Sequence, residues 1–171
     1  MNTRIVVVAL MMASASPASA QWAVDGSVGV TVPVGQGEGR TAGLDLMGAV
    51  DWHPAPKLPI AFRAEVGWDR VGFSGFSQVA EYVTRIAFDV IVDPPLPGTR
   101  LRPYVLAGGG AYIFSIYGSN RVDPGLNIGA GLRYPIGPVQ PFFEFRYHVD
   151  YLPSSYAFIP IQFGVRVPIP G

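Results

Sequence analysis

The chain has 171 residues and a composition that fits neither an ordinary soluble domain nor a protein with membrane helices. Charged residues make up 14% of it, against about 25% in typical soluble domains. The 12 Lys and Arg balance the 12 Asp and Glu, so the formal net charge is zero and gives no reason to expect nucleic-acid binding. There is no cysteine, which excludes disulfides, thiol-based metal sites and thiol-linked lipid anchors.

Residues 1–20 have the pattern of a secretory signal peptide. Arg4 supplies a positive charge, Ile5–Met12 are apolar, and Ser14–Ala20 ends in the small-x-small sequence of a cleavage site. The apolar stretch is far shorter than the roughly 20 residues of a membrane-spanning helix. We therefore predict a cleaved signal peptide over 1–20 and a single mature domain over 21–171, exported to the bacterial cell envelope.

From Gln21 onwards, apolar and polar positions alternate repeatedly. The alternation is clearest over Val139–Tyr151, where Phe143, Phe145 and Tyr147 alternate with charged residues. A period of two indicates a β-strand, because successive side chains point to opposite faces. Eight segments alternate in this way: about Trp22–Val32, Gly43–His53, Leu58–Asp69, Gln78–Val92, Arg102–Tyr117, Leu126–Tyr134, Val139–Tyr151 and Phe158–Ile169.

The apolar parity of these strands is assigned to the outside of a barrel. Eight strands with one apolar face, behind an export signal and with aromatic residues near the strand ends, are typical of transmembrane β-barrels. The aromatic residues expected at the two membrane interfaces are Trp22, Trp52, Trp68, Tyr82, Tyr104, Tyr112, Tyr134 and Tyr151. In the fifth strand the larger side chains are assigned to the outside and the small ones to the inside: the large ones are Tyr104, Leu106, Tyr112, Phe114 and Ile116.

The connections between strands have two chemistries that also alternate. The odd connections are rich in Gly and Ser: Gly35–Arg40, Arg70–Ser77, Gly118–Gly125 and Leu152–Tyr156. The even connections are compact and rich in proline: Pro54–Pro56, Asp93–Gly98 and Pro135–Pro138. An up-and-down barrel places odd and even connections at opposite rims. We expect the proline-rich turns in the periplasm and the other loops, none of them long, outside the cell.

Four stretches carry a resemblance to a known family: Pro103–Tyr112, Gly125–Tyr134, Pro141–Tyr147 and Ile159–Arg166. With the signal peptide and the eight strands, they resemble the small outer-membrane β-barrel superfamily that includes the OmpA transmembrane domain and OmpX. The resemblance spans about Gln21–Ile169. It implies an all-β fold, an eight-stranded antiparallel up-and-down transmembrane β-barrel, integral to the bacterial outer membrane.

The resemblance implies particular partners but does not single out one activity. The implied partners are outer-membrane lipid and the barrel-assembly machinery, and members of the superfamily include structural anchors, adhesion and immune-evasion factors and a few lipid-modifying enzymes. Such barrels usually end on an aromatic residue that the assembly machinery reads, whereas this chain ends Val167–Gly171. Either Phe163 with Ile169 replaces that signal, or recognition differs.

A soluble eight-stranded barrel of the lipocalin kind would show the same alternation. Its polar face would meet water and carry many Lys and Glu, whereas Lys57 is the only lysine here and small residues occupy much of the polar parity. Small residues suit a narrow interior, and Trp and Tyr near strand ends suit two lipid interfaces. We therefore favour a membrane barrel, and expect a monomer.

Charges of both signs lie on the polar parity. The residues expected to form a charge network in the lumen are Arg63, Glu65, Glu81, Arg85, Asp89, Arg133, Glu144, Arg146 and Arg166, with Asp25, Asp45 and Asp51 nearer the periplasmic side. An eight-stranded barrel has room for side chains but not for a wide channel. Buried charges must be paired and hydrogen-bonded, so we interpret the set as a structural ion-pair network, with a gated path for small ions or protons as the alternative.

His148 and Asp150, followed by Ser154 and Ser155, are the residues that could suggest nucleophilic catalysis. Lipid A deacylases of similar architecture use a His-x-Ser spacing, and position 150 here is Asp. Parity also points His148 and Asp150 into the barrel, away from lipid. We predict no enzyme, no catalytic residue and no cofactor; with His53, the two histidines are too few and too distant in sequence for a metal site.

The glycine-rich stretches are interpreted structurally. Gly35–Gly39 lacks the Lys-Ser/Thr of a phosphate-binding loop and reads as a flexible loop. Gly108–Gly110 lies within the fifth strand and indicates a kink or close packing. Asp123–Gly125 is expected to form a turn.

The function predicted from these patterns is that of an integral outer-membrane protein with a side-chain-filled lumen and a structural or surface-interaction role. A narrow pore for ions or small solutes is the first alternative, and a lipid-modifying enzyme is the second. Neither a ligand nor a receptor can be named from the residues.

Overall fold

A computed structural model of the chain describes residues 21–35, 39–55, 58–116, 119–151 and 156–169. The predicted signal peptide, 1–20, lies outside these residues. Eight strands follow one another: β1 Gln21–Val34, β2 Arg40–His53, β3 Ile60–Phe73, β4 Phe76–Val92, β5 Arg102–Ile116, β6 Ser119–Arg133, β7 Gln140–Asp150 and β8 Ala157–Ile169. Among the described residues, no helix has the length and apolar character needed to cross a membrane.

The strands form one closed barrel. Each strand pairs antiparallel with its neighbour in sequence, and β8 returns to pair with β1, where Asp25 lies opposite Arg166. Closure leaves no strand at a free sheet edge, because each strand pairs with a neighbour on both sides. The predicted all-β, eight-stranded antiparallel up-and-down fold is confirmed.

The barrel has two rims with different connections. The turn rim is the end of the barrel where β2, β4 and β6 end, and its described residues include 54–55, 58–59, 93–101 and 134–139 together with the two described ends, Gln21 and Ile169. The loop rim is the opposite end, where β1, β3, β5 and β7 end, and its described residues include 35, 39, 74–75, 151 and 156. The N-terminal end of β1 and the proline-rich turns therefore lie at the same rim, as the alternation of the connections predicts.

Strands at the loop rim are longer than the alternation predicts. β3 and β4 meet around Ser74–Gly75, where Gly75 has a φ of 81°, so the predicted loop Arg70–Ser77 is a two-residue turn. Asp123–Gly125, expected as a turn, lies within β6, where Asp123 pairs with Tyr112. Near the loop rim, main-chain pairing between strands therefore continues past the point where the alternation of apolar and polar residues ends.

The outer face is apolar between the rims. Phe88, Phe163 and Ile128 are 67%, 64% and 62% exposed. Aromatic side chains lie on this face near both rims. Trp22, Trp52 and Phe62 form a row near the turn rim with ring centroids 6.3 and 5.6 Å apart, and Trp68 stacks on Tyr82 at 5.7 Å near the loop rim. Tyr134 and Tyr151 are also exposed.

β5 faces the opposite way to the prediction. Tyr104 and Tyr112 are 2% and 1% exposed and lie inside the barrel with Leu106 and Phe114, whereas Val105 is 54% exposed. The assignment of Tyr104 and Tyr112 to the membrane interfaces is therefore wrong. Both the even-numbered and the odd-numbered residues of β5 are apolar or small, so alternation alone does not decide which of them face the interior. The larger, even-numbered side chains lie inside because the interior has the volume to be filled.

Glycines on neighbouring strands make room for large interior side chains. A Cβ on Gly131 would clash with the ring of Tyr104, one on Gly164 with the ring of Phe142, and one on Gly67 with the guanidinium of Arg85. Gly108 leaves the same kind of space for Asp89, which agrees with the close packing predicted at Gly108–Gly110. The barrel interior is filled to a density that only glycine backbones permit.

Candidate functional site

The interior contains more acidic than basic side chains. Among the described residues, ten carboxylates are buried: Asp25, Asp45, Asp51, Glu65, Asp69, Glu81, Asp89, Asp123, Glu144 and Asp150. Five arginines are buried with them: Arg63, Arg85, Arg133, Arg146 and Arg166. The structure thus places all nine residues of the predicted lumen network inside the barrel, and the excess of carboxylates means that each arginine is shared.

Arg63 of β3 is the first centre of the network. Its guanidinium donates to Asp25 at 2.5 Å, to Asp51 at 2.7 Å and to Glu144 at 3.0 Å. Arg166 of β8 also contacts Asp25 and Asp51. These contacts tie five strands together across the barrel, and the five side chains have essentially no exposure to solvent.

Arg146 of β7 is the second centre. Its guanidinium lies 2.6 Å from Glu144, 2.5 Å from Glu65 and 3.1 Å from Asp89. Glu144 therefore bridges Arg63 and Arg146, and the hydroxyl of Tyr104 donates to the same carboxylate at 2.6 Å. This bridge explains why Tyr104 is inside: its hydroxyl is a required donor to a buried acid.

Arg85 of β4 is the third centre. It donates to Asp69 and, at 2.8 Å, to Asp45, and the amide of Gln162 also donates to Asp45. Asp45 and Asp69 lie directly opposite each other in the β2–β3 register. Asp45 thus belongs to this group, in the part of β2 nearer the loop rim, and the expected grouping of Asp45 with Asp25 and Asp51 is wrong.

An aromatic cluster fills the interior near the loop rim. Val83, Tyr112, Phe114, Tyr156 and Phe158 are buried together. Phe158 stacks on His148 with ring centroids 5.0 Å apart, and the Tyr112 hydroxyl lies 2.9 Å from His148 Nδ1. Above the cluster, Arg40 donates to Glu81 at 2.7 Å and covers the ring of Tyr156 at 4.4 Å. Glu81 is therefore paired at the rim, away from the central arginines.

The turn rim is open by comparison and holds a pocket of about 400 Å³. We call it the turn-rim pocket; its polar lining comprises Gln21, His53, Asp93, Arg102, Arg133, Gln140 and Arg166. Asp93 lies 3.2 Å from Arg133 and 3.6 Å from His53. Burial alone would raise the pKa of Asp93, but the contact with His53 and the charge of Arg133 outweigh it and hold the pKa below its ordinary value.

The residues considered for catalysis do not assemble into a reactive group. His148 and Asp150 face the interior, 0% and 2% exposed. Asp150 accepts a hydrogen bond from the Tyr156 main-chain N–H at 2.7 Å, while Ser154 and Ser155 lie outside the described residues. His53 is at the turn rim, far from His148, and nowhere in the described part of the chain do three or more potential ligands cluster to hold a metal.

Sequence reasoning missed the aromatic part of the interior. Phe142 and Phe158 occupy even positions among the charged residues of β7 and β8, and this departure from alternation was a signal that large apolar groups also point inward. A second signal was the run of glycines at odd positions of β6, on the parity of Arg133. They mark where neighbouring strands bring large side chains inward.

The solved structures with a similar fold are small outer-membrane barrels. Neisserial surface protein A superposes with a TM-score of 0.70 at 17% sequence identity, covering 85% of this chain and 96% of that one. The N-terminal β-barrel domain of Pseudomonas aeruginosa OprF gives a TM-score of 0.56 at 16% identity, covering 87% and 97%.

Ail, the attachment invasion locus protein of Yersinia pestis, gives a TM-score of 0.53 at 14% identity, covering 88% of this chain and 99% of that one. No protein-family model and no curated protein matches the chain. The identities are low, so the likeness concerns the fold. The closed barrel, its apolar outer belt and these neighbours together confirm the resemblance: the chain has the fold of the small eight-stranded outer-membrane β-barrels.

Proposed function

We propose that this protein is an integral barrel of a bacterial outer membrane with a structural or surface-interaction role, and that its own side chains close its lumen. The apolar belt supports the membrane location because side chains such as Phe88 and Phe163 are exposed on the outer face. The aromatic rows near both rims support it too, since Trp and Tyr favour the membrane interfaces.

The observation that carries the proposal is the closed interior. Arg63 and Arg146, joined through Glu144, occupy the middle of the barrel, and the aromatic cluster fills it near the loop rim. Breaking either arginine away from its partners would leave uncompensated buried charges, which opposes opening. The role proposed is therefore mechanical or interfacial rather than transport.

Single-channel recording in planar bilayers tests this proposal. The purified barrel is expected to show no large, stable conductance. Glu144→Gln, which keeps the shape of the side chain and lets its amide oxygen still accept from Tyr104, serves as a matched control and is expected to stay closed. A steady open state of porin size in the parent protein would contradict a closed lumen.

A narrow cation path is a second candidate, and the excess of carboxylates favours it. Ten carboxylates and five arginines are buried in the described interior, so the interior favours positive ions. In the same recordings, a small cation-selective current that falls in Asp45→Asn, but not in Arg100→Gln at the exposed turn rim, would support this candidate against a sealed lumen.

The orientation proposed places the turn rim in the periplasm. A protease site inserted at Ser74 is expected to be cut from outside intact cells, whereas one at Pro97 is expected to be protected until the outer membrane is opened. Equal cleavage at both positions in intact cells would contradict the orientation.

The loop rim favours the structural part of the role over the surface-interaction part. A structure of Ail in complex with the heparin analogue sucrose octasulfate is among those with this fold, but connections at the loop rim of the present chain are short, and the β3–β4 connection has two residues. Short connections favour the structural role. No catalytic role is proposed, and mass spectrometry of lipid A with and without expression is expected to show no modification.

A further inference from the structure

We propose that the turn-rim pocket binds the phosphate group of a small organic phosphate ester. The pocket is lined by the three arginines Arg102, Arg133 and Arg166, whereas Asp93 is the only carboxylate among its described lining residues. Arg166 is held by Asp25 and Asp51 deeper in the barrel, which leaves Arg102 and Arg133 as the binding pair. The proposal concerns a ligand and is independent of whether the lumen conducts.

The register of β5 and β6 brings two positive charges together at this pocket. Arg102 lies directly opposite Arg133 in the ladder, so their side chains leave the sheet on the same face. Like charges directly opposite each other are destabilising. Asp93 and Asp51 lie 3.2 and 3.6 Å from Arg133, but within the described residues Arg102 forms no ion pair, so its positive charge has no carboxylate partner.

Arg133 also has unused donors. It is 2% exposed, and its Nε and Nη2 atoms have no hydrogen-bond partner. The nearest carboxylate oxygen to Nη2, on Asp51, is 3.6 Å away, too far for a good hydrogen bond. The guanidinium is held 4.0 Å over the ring of Tyr104, so it is fixed in place with donors unsatisfied, which costs free energy unless an acceptor arrives.

A bound oxyanion satisfies the free donors of Arg133 and offsets the adjacent positive charges of Arg102 and Arg133. The planar guanidinium fork matches a phosphate or carboxylate with two parallel hydrogen bonds, and the negative charge relieves the repulsion between Arg102 and Arg133. The volume of about 400 Å³ is many times the roughly 30 Å³ of a water molecule. Leu58, Pro95 and Pro168 supply apolar lining, so the ligand carries carbon next to its phosphate, as glycerol phosphate or a phospholipid headgroup does.

Isothermal titration in a maltoside detergent, which contains no phosphate, tests the proposal. Glycerol 3-phosphate is expected to bind the parent barrel, and inorganic phosphate is expected to bind more weakly. Arg102→Gln removes a charge-assisted contact and is expected to weaken binding about tenfold. Because Arg102 is exposed at the rim, this variant is expected to fold, and the heat-dependent gel shift of barrels checks that it does.

Arg100→Gln is the matched control. Arg100 is an exposed arginine in the connection just before β5, two positions from Arg102, and does not line the pocket, so its loss is expected to leave the affinity unchanged. Absence of binding to the parent barrel would overturn the proposal. An equal loss in both variants, or no loss in Arg102→Gln, would also overturn it, because the site would then be general surface charge.

Phosphatidylglycerol added to the micelles distinguishes two sources of the same chemistry. If it displaces glycerol 3-phosphate from the parent barrel but Arg102→Gln reduces that displacement, the ligand is a lipid headgroup. If glycerol 3-phosphate still binds with unchanged affinity, the ligand is a soluble phosphate ester. Both results support a phosphate site on Arg102 and Arg133.

Discussion

β5 and β7 both carry aromatic residues at alternate positions, yet the two strands present them to opposite sides. In β7, Phe145 and Tyr147 are 49% and 43% exposed on the outer face, while Glu144 and Arg146 lie inside. In β5, Tyr104 and Tyr112 lie inside and are almost completely buried. The difference follows from the other parity of each strand, which is charged in β7 and small and apolar in β5.

This comparison shows that alternation identifies the two faces of a strand but does not by itself say which is inside. In β7 the charges decide, because they need the partners that only the interior provides. In β5 the decision comes from volume and hydrogen bonds, since the Tyr104 hydroxyl reaches Glu144 of β7 itself. The two strands are therefore coupled through one buried carboxylate.

The largest expected effect breaks that coupling. Glu144→Leu leaves Arg63, Arg146 and the Tyr104 hydroxyl without their shared acceptor, and is expected to cost about 3–5 kcal/mol of unfolding free energy. Urea titration of the barrel folded into lipid vesicles measures it. A soluble barrel with an outward polar face would tolerate the change, so near-parental stability in a chain that stays soluble without detergent would contradict the membrane barrel.

The next substitution tests the outer parity of β7. Phe145→Arg places a charge against lipid near the middle of the apolar belt, and is expected to cost about 2–4 kcal/mol. Glu144→Gln at the neighbouring inner position keeps the shape of the side chain and one of its two acceptor oxygens, and is expected to cost less in the same titration. If Phe145→Arg proved the milder of the two, the faces of β7 would be exchanged.

A smaller effect tests the inner parity of β5. Tyr104→Phe removes one donor to a buried carboxylate and is expected to cost about 1.5–3 kcal/mol. Tyr134→Phe is the matched control, since Tyr134 is 46% exposed on the outer face, and we expect little change there. Equal stabilities of the two variants would mean that the Tyr104 hydroxyl has no buried partner.

The smallest expected effect is at the turn-rim pocket, where β5 and β7 begin. Because the pKa of Asp93 is held below its ordinary value, its ion pair stabilises the fold at pH values above that ordinary value and loses its effect as the pH falls through the lowered pKa. The stability difference between the parent and Asp93→Asn is therefore expected at neutral pH and to vanish near the acid end of a pH series. A difference independent of pH would contradict the ion pair with Arg133.

The positions of most strands and their inner faces can be predicted from the sequence, and β7 shows why. Wherever one parity is charged, as with Arg63 and Glu65 in β3, the interior face and the strand position are both predictable. The inner face of β5 was not predictable, because its glycines and alanines are as compatible with the lipid side as with the interior. The sharing of Glu144 by Arg63 and Arg146 depends on pairings around the whole barrel, which local periodicity does not contain.

The ends of the strands were predicted less well for a related reason. Main-chain pairing continues beyond the apolar belt, so Asp123 and Pro124 remain in β6 although their composition is that of a turn. The turn-rim pocket was not foreseen either. Arg102 and Arg133 are far apart in sequence, and only the β5–β6 register places them opposite each other.

The faces of β5 can be read directly in the unmodified protein by methyl NMR in detergent micelles that contain a doxyl-labelled fatty acid. Val105 is 54% exposed and Leu106 is 2% exposed, although they are adjacent. The paramagnetic label is expected to broaden the Val105 methyl signals as strongly as those of Leu132, an outward residue of β6, and to leave the Leu106 methyls sharp. Broadening of Leu106 with Val105 unaffected would show that Tyr104 and Tyr112 face lipid, and the coupling of β5 to the interior network would be wrong.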